Sequence, residues 1–211
     1  MILEALQKAV QARLDEIDDD LGKRGIYTLF EWEREQRTLT QEKGDYSARR
    51  KALAGRKHAQ LEGRTLWEPK NESELFGLFM MIYALRPDIF DFEPMDYNTS
   101  RGIDMLGRNK TDNTITEAEF WYIELKHILR GNLNHGFKYL RYILCWDFDA
   151  SVTTSTEFGA LSEPEPRFLE THENASGHKL YFLNSRSSAT KIQILRLREL
   201  LNSKLNLTFT D

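Results

Sequence analysis

The sequence holds one cysteine, Cys145, in 211 residues, so neither a disulfide framework nor a thiolate metal cluster can be built within the chain. A reducing compartment, the cytoplasm, is the expectation that follows. Long apolar runs are missing as well: Glu, Lys, Arg or Asp interrupts each one, and nothing reaches membrane-spanning length. The first residues, Met1-Ile2-Leu3-Glu4-Ala5-Leu6-Gln7-Lys8, carry charges where a signal peptide needs an unbroken apolar stretch. Excess positive charge is absent too. With 29 Lys+Arg against 33 Asp+Glu the formal charge is −4, which argues against coating nucleic acid by bulk electrostatics and leaves room for a local basic patch. Neither a glycine-rich phosphate loop, a paired-histidine zinc motif nor a Gly-x-Ser-x-Gly elbow is found.

Apolar content is ample, at 40% of residues, enough to bury a core and to exclude a disordered chain. Leu3, Leu6, Val10, Leu14, Ile17 and Leu21 recur at helical spacing and predict a helix over 2–21. Residues 26–64 remain charged and helix-friendly, with apolar residues clustered only at 26–32, so they read as helices that pack on a partner. Between Lys43 and Arg64 the local charge balance is +5, and Arg49, Arg50 and Lys51 are the candidates there for contact with a nucleic-acid backbone. Residues 1–66 are thus expected to form a helical arm that binds DNA backbone, a second copy or a partner protein, and 67–211 a separate domain.

After Pro69 the pattern changes. Residues 72–85 predict a helix apolar nearly all round, closed by Pro87, followed by strands at 90–97, 102–108 and 119–126. A helix over 134–144, an acidic loop over 149–173, strands at 180–183 and 192–197, and a short helix from Arg198 complete the prediction.

The chemistry concentrates in Phe120-Trp121-Tyr122-Ile123-Glu124-Leu125-Lys126. The period of two puts Glu124 and Lys126 on one face of a strand, and ionised groups are not buried unless paired, hydrated or bound to metal. If the preceding strand forms an antiparallel hairpin with this one, paired residue numbers sum to about 228 and Asp104 lies beside Glu124. Two adjacent carboxylates call for a hard divalent cation, and Mg²⁺, with Mn²⁺ as substitute, fits few carboxylates best. Glu-x-Lys alone is weak evidence, as Glu68-Pro69-Lys70 shows, where the proline argues against a central strand.

This order of elements resembles the PD-(D/E)XK nuclease superfamily, whose core runs helix, three-stranded meander, helix, strand. The resemblance spans about residues 70–148 and, more loosely, 178–205. It implies an α/β fold, a restriction-endonuclease-like core with a mixed sheet flanked by helices, here preceded by a helical extension. It further implies a metal-dependent endonuclease acting on DNA, RNA not being excluded, in restriction, phage defence or recombination. Asp104, Glu124 and Lys126 match the motif, although Ile103 stands where a proline often precedes the Asp. Asp104, Glu124 and the Leu125 carbonyl would hold the metal, with Glu72 preferred over Glu74 as the helix-borne ligand because Glu72 shares the face of Leu75, Phe76 and Phe79. Lys126 would orient or help deprotonate the attacking water. Arg101, His135 and Lys138 are candidate phosphate contacts. The alternative is a nuclease-like fold without activity, serving as a nucleic-acid-binding or assembly module.

Overall fold

A computed structural model describes residues 2–23, 29–98, 104–110, 114–161, 164–187 and 190–210, and the chain divides into two compact units, Met1–Arg56 and Lys57–Asp211. The first unit holds two helices, α1 (Ile2–Lys23) and α2 (Leu29–Ala54). Their apolar residues Leu3, Leu6, Val10, Ile17, Leu39, Tyr46 and Leu53 are exposed. No helix among the described residues is long and apolar enough to cross a membrane.

The second unit starts before residue 67, because the helix expected to continue to 64 gives way to a β-hairpin. Strands β1 (His58–Leu61) and β2 (Arg64–Trp67) pair antiparallel through a two-residue turn, Glu62 and Gly63, both at positive φ (49° and 76°). That turn matches the twist of the strands, and glycine makes one of its two left-handed positions free of strain. His58 and Thr210 exchange backbone hydrogen bonds, which ties the hairpin to the end of the chain.

Helix α3 (Glu72–Leu85) falls on the predicted residues. Asn71 caps it by accepting from Glu74 N–H at 2.9 Å, while Glu74 Oε2 accepts from Lys70 N–H at 2.9 Å, a reciprocal lock on the first turn. Leu75, Leu78, Phe79 and Ile82 are buried, each worth about 1.5–3 kcal/mol on leaving water. Met80 and Met81 are exposed, so the helix buries one face rather than being covered all round.

Nine strands form one mixed sheet: β3 (Phe92–Tyr97), β4 (Met105–Asn109), β5 (Phe120–Leu129), β6 (Asn132–Leu133), β7 (Leu140–Phe148), β8 (Glu157–Ala160), β9 (Arg167–Glu173), β10 (Lys179–Asn184) and β11 (Ile192–Arg196). Their spatial order is β3-β4-β5-β7-β11-β10-β9-β8-β6. The chain leaves β5 at Leu129 and enters β6, at the opposite edge, by Asn132, so the sheet has to curl back on itself. Gly159 N–H donates to Gly131 O (2.9 Å) at this seam, and a Cβ on Gly131 would lie 3.0 Å from the Glu157 carbonyl. One face of the sheet is covered by the hairpin, α3 and α4 (Leu197–Leu205), over Phe92, Ile123, Leu125 and Leu144. The other face closes on itself over Leu129, Phe137, Ile143, Phe158 and Leu183.

Three expectations are therefore corrected. The helix over 134–144 is absent: 134–139 are turns and bends, and β7 runs from Leu140, parallel to both β5 and β11. A central parallel strand is buried on both faces and reads as an unbroken apolar run, which helical spacing of Phe137, Leu140, Ile143 and Leu144 can imitate. The acidic segment 149–173 contains β8 and β9 rather than a loop throughout; Phe158 and Leu169 are buried, and Glu170 pairs with Lys191 at 2.8 Å. The α-β-β-β-α-β order consequently lacks its second helix, while the coarser class, α/β with a large mixed sheet and flanking helices, holds.

Asp147 joins β7 to the start of α4, accepting from Arg196 Nε at 2.7 Å and Arg198 Nη1 at 3.1 Å. Burial acts to raise its pKa, but the Phe148 N–H and the two guanidinium groups outweigh it and leave the carboxyl below its ordinary value. The lowered pKa means a stabilising contribution that is full above the ordinary Asp range, about 3.9, and is lost as pH falls below it. Asp147→Asn is expected to cost about 1.5–3 kcal/mol at neutral pH in urea unfolding, with the gap to wild type narrowing in acid; a gap independent of pH would contradict this role.

Candidate active site

Strand β5 forms because Phe120, Trp121, Tyr122 and Ile123 are aromatic or β-branched. It has β7 along one edge to its end, and among the described residues β4 pairs with the other edge as far as Met105↔Ile123. The register from Met105↔Ile123 to Arg108↔Phe120 keeps the sum of 228 expected from sequence. Asp104, the residue before β4, reaches the same edge with its side chain: its Oδ2 accepts the Leu125 N–H at 2.8 Å. Leu125 itself is 1% exposed, its side chain in the core.

Glu124 is also 1% exposed. Its Oε1 lies 2.7 Å from Lys126 Nζ and 3.9 Å from His135 Nε2. The lysine approach is an ion pair poorly aligned for a hydrogen bond, and neither carboxylate oxygen has an aligned donor among the described residues. Burial is the main influence on Glu124, raising its pKa; Lys126 and His135 act against it, and Asp104 adds to it. For Lys126 burial acts downward, yet Glu124, with Glu72 and Asp104, raises its pKa overall, so the ammonium keeps its charge.

Lys126 joins two faces of the sheet. Glu124 projects on the side away from α3, as the membership of Ile123 and Leu125 in the α3-covered core requires. Glu72, in the first turn of α3, brings its Oε1 to 3.5 Å from the same ammonium. Glu74 is occupied by the helix cap, so of the two acids it is Glu72 that faces Lys126. His127, one residue further, places Nε2 2.9 Å from the Pro69 carbonyl, a structural contact.

The other candidates are distributed as follows. His135 comes from the short segment between β6 and β7 rather than from a helix, and its side chain is 27% exposed. Lys138, in the same segment, is exposed, with Nζ 5.1 Å from the centroid of the Tyr139 ring. Arg49, Arg50 and Lys51 are exposed on α2 in the first unit. Arg101 lies outside the described residues.

The donor set can be tested against a metal. No group of three His, Cys, Asp or Glu among the described residues forms a cage for an ion. Two carboxylates, Asp104 and Glu124, with a backbone carbonyl and water, match what Mg²⁺ requires, since it takes few protein carboxylates and retains much of its hydration. The buried Glu124 oxygens without aligned donors are the observation that fits a further cation.

Sequence reasoning passed over two features. Tyr139 stands 60% exposed beside His135 and Lys138, and a single exposed aromatic has no periodic signature. A cleft of about 610 Å³ lies elsewhere, lined in part by Arg86, Tyr142, His178 and Arg196. Arg86 is paired there with Asp88, and Arg196 with Asp147. Comparison with protein-family models, curated proteins and solved structures finds no match, and the reading of the site rests on its geometry.

Removing one partner of a buried pair leaves the other charge uncompensated. Lys126→Met is expected to lower stability by about 3–5 kcal/mol in urea unfolding with EDTA, and Glu124→Gln in the same chain to restore most of the loss. Equal losses for the single and double variants would show that the pair is not coupled.

Proposed function

We propose that the chain is a metal-dependent nuclease that hydrolyses DNA phosphodiester bonds. One observation carries this reading: a fully buried Glu124 paired with Lys126, beside an Asp104 whose carboxylate takes the Leu125 N–H at the edge of the same strand. A structural ion pair does not need a second carboxylate at that edge, because like charges there oppose each other. A divalent cation gives both carboxylates a common partner.

Asp104 and Glu124, with the Leu125 carbonyl, are the groups that would hold Mg²⁺ or Mn²⁺, with Glu72 available from α3. When bound, the metal supplies charge that offsets the carboxylates and polarises a phosphate oxygen. Lys126, charged and fixed between Glu124 and Glu72, is placed to orient the attacking water and to steady charge developing on the phosphate. His135 and Lys138 border the site and can contact phosphate, while Arg49, Arg50 and Lys51 supply a separate basic surface. Helix α3 and strands β3, β4 and β5 follow the order of a PD-(D/E)XK core, and that likeness supports the same reading. The missing second helix does not bear on the chemistry, because every acid, and Lys126, comes from α3, β5 or the residue preceding β4. Restriction, phage defence or recombination in the cytoplasm are the settings such an activity suits.

The test incubates plasmid and single-stranded DNA with the protein in Mg²⁺, Mn²⁺ or EDTA. Cleavage is expected with either metal and not in EDTA, and Asp104→Ala and Lys126→Ala are expected to slow it at least about 100-fold. Binding without metal-dependent cleavage would leave the alternative, a silent binding or assembly module. In a separate binding series, changing Arg49, Arg50 and Lys51 to Glu is expected to flatten the salt dependence of DNA affinity; an unchanged slope would remove α2 from the DNA-binding surface.

A further inference from the structure

The segment linking β6 to β7 presents an aromatic ring that the core does not use. Tyr139 is 60% exposed, yet its position is fixed: its carbonyl accepts the Tyr122 N–H at 2.8 Å, and its ring meets the Tyr122 ring edge-on, with centroids 6.2 Å apart at 81°. Lys138 Nζ lies over the Tyr139 ring at 5.1 Å. The pairing of β5 with β7 shifts here, from Tyr122↔Leu140 to Ile123↔Tyr142, leaving Arg141 as the extra residue of a bulge. Bulges re-aim the side chains beside them and occur next to active sites.

Tyr122, Glu124 and Lys126 alternate onto the same face of β5. Tyr122 is therefore about 7 Å along the strand from Glu124, a distance that one nucleotide of an extended strand spans. The exposed Tyr139 ring, braced on Tyr122 and flanked by a lysine, has the composition of a single-strand binding platform, in which an aromatic face takes a base and a cation takes the backbone.

We propose that Tyr139 stacks an unpaired base one or two nucleotides away from the phosphate that would be taken up at the site of Asp104, Glu124 and Lys126. The inference rests on the nuclease reading and adds the substrate class: DNA with an unpaired base beside the cut, as in a single strand, a gap or a flap. In a fully paired duplex both faces of each base are already stacked. A base reaches Tyr139 from duplex only after unpairing, which costs a few kcal/mol.

The experiment uses the full chain as wild type, Tyr139→Ala, Tyr139→Leu and Tyr139→Phe, with one labelled sequence presented as single strand, flap and blunt duplex. Binding is measured by anisotropy in Ca²⁺, so that divalent charge is present at the carboxylates, and cleavage in Mg²⁺. Wild type and Tyr139→Phe are expected to prefer the single strand and the flap. Tyr139→Ala and Tyr139→Leu, the latter keeping an apolar contact with Tyr122, are expected to lose about tenfold in affinity for those two and little for duplex. Unchanged affinities in the Ala and Leu variants, or equal losses on all three substrates, would overturn the platform. A wild type that binds with this pattern but does not cut would overturn the nuclease reading alone, and one that binds none of the three would overturn both.

Discussion

A carboxylate with 1% of its surface exposed, Glu124, sits 2.7 Å from one ammonium group in the middle of a sheet, and the rest of the site is arranged around that contact. Moving two charges from water into protein costs several kcal/mol per ion after relaxation, and the attraction between them repays this only with good geometry and further hydrogen bonds. Here the alignment is poor, and among the described residues the Glu124 oxygens have no aligned donor. The raised pKa of Glu124 expresses the same imbalance, burial being its largest cause. Such an arrangement is a poor way to stabilise a fold and a reasonable way to keep a carboxylate ready for another cation.

The sheet creates the place where this can happen. Among the described residues β4 pairs with β5 as far as Ile123, and Asp104, the residue before β4, continues along the same edge of a buried strand. Asp104 closes the Leu125 N–H at that edge and in doing so brings a second carboxylate alongside Glu124. Lys126 then links Glu124 to Glu72 on α3, across the two faces. The curl of the sheet returns the segment after β6 to the far side of Glu124, which is how His135 reaches 3.9 Å from Oε1 without the helix expected to carry it.

Much of this was legible in the residues. The alternation Glu124-Leu125-Lys126 placed charges and apolar side chains on opposite faces, and turn-rich 109–113 set the β4–β5 register to the residue. The apolar run after Pro69 placed α3, and the spacing of Glu72 from Leu75 and Phe79 separated it from Glu74; that Asn71 and Glu74 form the cap is seen only in the structure. What was not legible depends on tertiary context. Leu140–Phe148 is apolar on both faces because α3 and α4 cover one and the curled sheet closes over the other, and that sequence is compatible with a buried helix as much as with a strand. The hairpin at 58–67 is concealed by charged residues on its exposed positions, with Ala59 and Leu66 alone deeply buried. Strands β8 and β9 were masked by acids whose partners, such as Lys191 for Glu170, lie far along the chain.

The central claim is that Asp104 and Glu124 form one cation site beside β5. Crystals soaked in Mn²⁺ and measured at the manganese absorption edge test it most directly, because the anomalous signal locates the ion independently of any activity. The account predicts a peak within coordinating distance of the Asp104 and Glu124 carboxylates, with the Lys126 ammonium drawn off Glu124 Oε1. Manganese bound elsewhere, or Glu124 still paired only with Lys126 at saturating metal, would contradict it.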